Sequence, residues 1–340
     1  MLKYLLPFFD SLIITVVLAA VAVGLSKKIN WQGRNGFRHI HAPEVSRLGG
    51  LVMIVAFNVT IFFNRDLFMS PELYGFCFGS LILLIVGFLD DLKELFWKIQ
   101  FFIQVSVAIL VFIMGVRIYY ITNPITGGIL HLDAGLGIIF SVALVILWIV
   151  LVMNALNWSD GIDGLSGGLT FITAVTILIL SFRPEVNQPP IAIMCAILTG
   201  TTLGFLIFNF NPSMIIAGTA GAMFMGFSLA VMSIFSGAKI ATAILVLAVP
   251  IIDFLWVIGE RLKNKKSIFL PDKNHLHYKL MELGWSQKKI VGSYWLVTLV
   301  FAVVALNTRA IGKGIALLVV VLIMAVILIT VNKKISDARA

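Results

Sequence analysis

Three short polar runs interrupt an otherwise apolar chain and hold the groups that could do chemistry. The first is Asn154-Ala-Leu-Asn157-Trp-Ser-Asp160-Gly-Ile-Asp163-Gly-Leu-Ser-Gly-Gly168. Its four polar side chains recur every third residue. A helix or tight helical turn would set them along one face at the end of an apolar span, where each would be costly facing lipid. They are expected to converge on a polar site. Gly161, Gly164, Gly167 and Gly168 would let backbone approach a ligand closely. A helix C-cap followed by a glycine turn accounts for one Asn, not for four aligned polar groups.

The second run, Gly87-Phe-Leu-Asp90-Asp91-Leu-Lys-Glu94, closes an apolar span with adjacent carboxylates. Two neighbouring carboxylates repel, so they favour a bound cation, a basic partner or one retained proton. Arg34, Arg38 and Arg47 offer the basic partner; a solvated helix end is the plainer alternative. The third run is Pro271-Asp272-Lys273-Asn274-His275-Leu-His277-Tyr278-Lys279-Leu280. Histidines two apart do not share a helical face, which disfavours a helical metal pair. In a loop both reach an anionic phosphate; in an interfacial helix, Leu276, Leu280 and Leu283 would lie on the membrane. The two arrangements are compatible.

Other polar residues carry less. Asp253 is an intramembrane acid expected to pair with a cationic loop residue and not to be catalytic, and Asp10 reads as an interfacial acid. Asn209-Phe-Asn211-Pro212 is a turn signal, and Gly218-Thr219-Ala220-Gly221-Ala222 has the small residues of membrane helix contacts.

The elements that must position these groups are membrane spans. The chain has 340 residues, 60% hydrophobic and 12% charged, with a mean hydropathy of +1.05. Soluble domains run at about 45–50% apolar and about 25% charged, so a water-facing globular protein is excluded. At about 20 residues per crossing and about 10 per connection, the length makes about 11 helices. Apolar runs of spanning length lie at 5–25, 48–64, 73–89, 99–118, 135–153, 167–182, 190–208, 214–235, 238–258, 291–307 and 312–331, again eleven. The fold expected is all-α, polytopic and single-domain over 1–340, embedded in the lipid bilayer. Its polar loops fall near 26–47, 90–98, 154–168, 209–213 and 259–290. Lys3 precedes the first run, whereas Lys27, Lys28, Arg34 and Arg38 follow it, which is the reverse of a signal peptide, so a retained helix is expected.

The net charge of +9 and pI near 9.6 come from where the basic residues lie, not from a nucleic-acid surface. Eighteen of the 25 Lys and Arg fall on one side of the proposed spans and seven on the other. The positive-inside rule therefore puts the N-terminus outside and the C-terminus in the cytoplasm. Ten of the 16 carboxylates share the cytoplasmic side, which topology alone does not require. Cys77 and Cys195 sit in apolar runs without metal or disulfide spacing.

Taken in order, Arg47-Leu-Gly-Gly50, Leu89-Asp90-Asp91, Asn154 to Gly164, Asn209 to Gly226 and Asp272 to Leu280 resemble the polyprenyl-phosphate N-acetylhexosamine-1-phosphate transferases. The likeness covers nearly the whole chain, and His275-Leu-His277 is more similar to the WecA and TagO branch than to MraY. The resemblance implies eleven spans, a plasma-membrane location with a cytoplasmic active site, and Mg2+, with Mn2+ as the alternative cation. It implies transfer of sugar phosphate from a UDP-N-acetylhexosamine, UDP-GlcNAc foremost, to undecaprenyl phosphate, starting cell-envelope glycan synthesis and leaving a homodimer open. Asp90 and Asp91 would handle the lipid phosphate and Asn157 would ligate the metal. Asn154, Asp160, Asp163, His275 and His277 would bind the nucleotide sugar, and Arg47 and Lys273 the phosphates.

This sequence departs from the family pattern at three places. Ser46 stands for a proline, Tyr278 for a third histidine, and Thr219 for an aspartate that ligates magnesium. Thr219 cannot supply that charge, so a non-catalytic relative that binds polyprenyl phosphate or nucleotide sugar is the second reading. A transporter using Asp10 and Asp253 ranks last, because the chain shows no inverted repeat.

Overall fold

The apolar runs become helices almost one for one. A computed structural model describes residues 1–29, 45–123, 126–235, 239–268 and 273–339. Arg34, Arg38, Glu44 and Asp272 lie outside the described residues. In chain order the elements are α1 (Leu2–Ile29), α2 (Gly49–Phe63), α3 (Pro71–Lys93), α4 (Trp97–Ile113), β1 (Tyr120–Thr122), β2 (Ile129–His131), α5 (Leu136–Ser159), α6 (Leu165–Ser181) and α7 (Pro189–Asn209). There follow α8 (Gly218–Ile234), α9 (Lys239–Val246), α10 (Ala248–Lys263), α11 (Leu276–Glu282), α12 (Gln287–Asn307) and α13 (Ala310–Arg339).

Two departures from the all-α expectation have local causes. Ile118, Ile121, Thr122 and Ile129 are β-branched and flank Asn123 and Gly127-Gly128, so the α4–α5 connection folds as a two-stranded antiparallel hairpin with Tyr120 opposite His131. The run 238–258 is not one helix: α9 and α10 meet at 74°. Pro250 has no N–H and its ring would collide with the carbonyl of Val246, so the helix breaks at Leu247.

α8 is the centre. Every residue from Ala220 to Ile234 is buried, as expected for a helix apolar all round. It packs against α2, α3, α5 and α6. The peripheral helices are different: the most apolar window of α1 or α13 is 22% buried, against 83% for α7. Leu6, Ile13 and Val17 on α1, and Leu318, Leu322 and Val326 on α13, leave continuous apolar faces that lipid, not water, must solvate. Among the described residues six helices are long and apolar enough to cross a membrane, or seven with the bent pair as one span, and α2, α4, α6 and α8 are shorter apolar helices. The chain is a multi-pass membrane protein.

Candidate active site

One end of the bundle gathers the C-terminal ends of α3, α5 and α10 with the N-terminal ends of α6 and α8. The expected loop at 90–98 is shorter than read, because α3 continues to Lys93 and carries Asp90 and Asp91 in its last turn. Both carboxylates close on Thr219, the second residue of α8. The Thr219 hydroxyl donates to Asp90 Oδ2 at 2.7 Å, and the Thr219 N–H donates to Asp91 Oδ1 at 2.9 Å. The free N–H groups and positive dipole end of α8 therefore offset the mutual repulsion of the pair. Gly218, at φ +64°, makes the approach possible: a Cβ there would run into Asp91 Oδ2.

Arg47 completes this corner. Ser46 pairs with Ile215 in an isolated parallel bridge. Gly49 and Gly50 continue it, donating their N–H groups to Ile216 and Ala217. The strip leads into Gly218, and the Arg47 charge acts on Asp91. The departure at Ser46 has a structural use, since its N–H donates to the Met214 carbonyl at 3.1 Å, a bond proline cannot make.

Helix α4 ties the acid pair to Asn154 of α5. Gln100 Nε2 donates to Asp90 Oδ1 at 2.8 Å, and Leu95 N–H donates to the same oxygen at 2.8 Å. One turn deeper, Asn154 Nδ2 donates to Gln104 Oε1 at 2.6 Å. Because α5 returns antiparallel to α4 through the hairpin, one turn beyond Asn154 brings Asn157 back to the level of Gln100, about 5 Å along the axis. Asn157 is half-buried and makes no side-chain hydrogen bond among the described residues. The two glutamines were missed in the sequence, although polar residues four apart inside an apolar span are a readable signal.

The polar ladder does not stay on one face. α5 ends at Ser159 and α6 begins at Leu165, so the expected loop 154–168 contracts to the turn 160–164, where Gly164 takes φ +81°. Asp160 accepts from the Ser166 hydroxyl. Asp163 is buried and accepts from Asn211 Nδ2 at 2.9 Å and from Ser213 N–H at 3.2 Å. The Asn209–Pro212 stretch is thus more than a connection: Asn209 Oδ1 also accepts from Gly164 N–H.

The histidines join the same end. His275 precedes and His277 lies within α11, their rings nearly parallel at 5.7 Å. The ring of His275 meets Trp158 edge-on at 5.2 Å, next to Asn157. Its Nδ1 lies 2.9 Å from Asp253 Oδ2, so the expected loop partner of Asp253 is His275. His277 is buried against Gly161, and among the described residues Nε2 has no hydrogen-bond partner. Burial, with a smaller push from His275, lowers its pKa from 6.5 to about 3 despite the opposing Asp253 charge, leaving a neutral imidazole. Lys273 is exposed two residues before His275. Glu260 is occupied elsewhere: it bonds Trp256, Lys279 and Asn332, fastening α10 to α11 and α13. A cavity of about 620 Å3 lined by Glu72, Arg117 and Glu185 lies at the opposite end and contains none of these residues.

One end of the helical membrane bundle thus gathers paired carboxylates, amides, histidines and an arginine. The family described as glycosyl transferase family 4 matches residues 73–237. The chain is 27% identical over 330 residues to the probable undecaprenyl-phosphate N-acetylglucosaminyl 1-phosphate transferase of Bacillus subtilis (strain 168), covering 95% of this chain and 90% of that one. It is 30% identical over 285 residues to a decaprenyl-phosphate N-acetylglucosaminephosphotransferase of Mycobacterium tuberculosis, covering 75% and 70%. A phospho-N-acetylmuramoyl-pentapeptide-transferase of Halalkalibacterium halodurans is 29% identical over 324 residues, covering 89% and 96%. The chain belongs to glycosyl transferase family 4, within the polyprenyl-phosphate N-acetylhexosamine-1-phosphate transferase superfamily.

Proposed function

We propose that the protein transfers N-acetylhexosamine-1-phosphate, GlcNAc-1-phosphate foremost, from a UDP-sugar to undecaprenyl phosphate at the cytoplasmic face of the plasma membrane. The observation that carries this reading is the Asp90, Asp91 and Thr219 corner, joined through Gln100 and Gln104 of α4 to Asn154, one turn from Asn157. A lipid phosphate oxygen attacks the sugar-linked phosphorus, the bond from that phosphorus to the UMP phosphate breaks, and UMP leaves with the electron pair. The products are a lipid pyrophosphoryl sugar and UMP. A phosphate monoester with a second pKa near 6 is mostly dianionic at neutral pH, so the nucleophile needs no proton removed. Bringing three phosphates together is then the main task, and Arg47 and Lys273 supply positive charge for it.

Two carboxylates beside three phosphates would repel them without a cation. Among the described residues no three His, Cys, Asp or Glu side chains form a metal cage. Magnesium takes only one or two carboxylates from a protein when phosphates and water complete its shell, so Asp90, Asp91 and Asn157, all oxygen donors, fit as its holders. When bound, Mg2+ or Mn2+ would neutralise phosphate charge. His275 and Asn154 orient the sugar nucleotide, and Asp163 holds the α5–α6 turn against the Asn211 segment.

Eleven spans follow if the bent α9–α10 pair and the four shorter helices cross together with the six long ones. Helices of 15–17 residues rise about 22–26 Å, close to the hydrocarbon thickness. The basic excess sets the N-terminus outside and the C-terminus in the cytoplasm. A second reading, a relative that binds without turnover, draws on Thr219, whose hydroxyl and N–H satisfy both acids without a metal. Protein in nanodiscs with undecaprenyl phosphate and labelled UDP-sugars tests the choice: labelled lipid supports transfer, and saturable nucleotide-sugar binding with no labelled lipid supports the second reading.

A further inference from the structure

Asp253 is the one acid buried within the α9–α10 pair, 3% exposed, and the reaction above gives it no role. A buried carboxylate is tolerated only when its oxygens are hydrogen-bonded or paired. Its Oδ1 accepts the Leu276 N–H at 2.9 Å, which caps the first turn of α11. Its Oδ2 lies 2.9 Å from His275 Nδ1. If Nδ1 carried a lone pair, that lone pair would face a carboxylate at hydrogen-bond distance, so Nδ1 must carry the proton. Trp158, packed at 71° to the ring, and His277, nearly parallel to it, fix the ring plane. Nε2, on the edge away from Asp253, is then the only nitrogen His275 can offer to another group.

We infer that Asp253 is a positioning residue that locks His275 with its proton on Nδ1 and its Nε2 presented to the phosphate or sugar of the substrate. The inference deepens the proposed function and rests on it for the identity of what Nε2 meets. The same carboxylate fixes both the ring and the start of α11, so ring orientation and the position of the polar loop are set together. The groups facing His275 are Asp253 from α10 and His277 from α11. Tyr294 from α12 also lies close enough for the Asp253 charge to act on it.

The test separates the lock from the cap. Asp253→Asn keeps an oxygen for the Leu276 N–H but can turn its amide N–H toward Nδ1, so the proton is no longer fixed there. The full-length protein is labelled with 15N-histidine, and the His275 signals are assigned by difference with His275→Gln. The wild-type spectrum is expected to show Nδ1 protonated, and the Asp253→Asn spectrum a mixture or the opposite tautomer. With substrate, Asp253→Asn should lower kcat roughly 10- to 100-fold, with KM within about twofold and an unchanged Tm. Asp253→Ala should lose the cap as well, with a lower Tm. A wild-type spectrum with unprotonated Nδ1, which needs no variant to fold, overturns the inference, as does an Asp253→Asn kcat within twofold of wild type. Absence of any transfer by the wild-type protein contradicts the proposed function instead, and the wild-type spectrum still decides the lock.

Discussion

Thr219 donates its hydroxyl to Asp90 at 2.7 Å and its N–H to Asp91 at 2.9 Å, so one residue at the start of α8 holds both members of the acid pair. Where the resembled family places a third carboxylate, this chain places a hydroxyl donor. Thr219→Asp would remove the hydroxyl donor and set a third negative charge against Asp90. The variant is expected to lose transfer activity at least tenfold and to be less stable in chelator than in millimolar Mg2+, read by thermal unfolding in both. A large gain in turnover would instead identify a lapsed enzyme and overturn the account of Thr219 as a rebuilt site.

The pair is asymmetric. Asp90 accepts from Leu95, Gln100 and Thr219, whereas among the described residues Asp91 takes its bonds from Thr219 alone. Asp90→Asn should cost stability, about 1–3 kcal/mol from mismatched donors, as well as activity. Asp91→Asn should leave Tm within a few degrees while transfer falls at least 100-fold. Denaturation and transfer measured on the same preparations separate the two.

Gln104→Leu removes the partner of Asn154 from the middle of a span. The half-buried Asn154 amide keeps its bond to the Val150 carbonyl but loses the partner across to α4, a cost of about 1 kcal/mol, and Asn157 loses the support that holds its helix level with Asp90. Transfer should fall about tenfold, with the larger effect on the KM for nucleotide sugar. An unchanged KM would show that the α4 glutamines only stabilise the bundle.

His277 gives a pH dependence of known sign. Its pKa in the folded protein is about 3 against an ordinary 6.5, so between those values the unfolded chain binds the proton and the folded one does not. Stability is full above pH 6.5 and declines as pH falls below it, by at most about 1.4 kcal/mol per unit. Hydrogen exchange in α11 should accelerate between pH 6.5 and 5, and His277→Asn should flatten that response.

The helices were legible because burial in lipid leaves one long apolar signature per span, and 135–153 or 190–208 required no tertiary information. The break at Leu247 and the hairpin at Tyr120–His131 were not read, although Pro250 and the Gly127-Gly128 turn were in plain view. The apolar composition of a span hides a bend that only the proline clash reveals. At the site, Asp90, Asp91, Asn154 and Asn157 were found as candidates by residue type and spacing. Their partners Gln100, Gln104 and Thr219 come from other helices, and pairings between helices leave no periodic trace. The four-residue ladder misled in part, because a spacing of three keeps one face only while the helix continues, and α5 stops at Ser159.

The most direct test of the central claim is a transfer assay on the purified protein in nanodiscs containing undecaprenyl phosphate, with labelled UDP-GlcNAc and Mg2+. Chelator and Asp91→Asn controls run alongside, with UDP-GalNAc and Mn2+ as further arms. The account predicts labelled pyrophosphoryl lipid and an equal amount of UMP, both lost in chelator and in Asp91→Asn. No labelled lipid from any UDP-sugar with either cation, from folded protein that still binds nucleotide sugar, would contradict it.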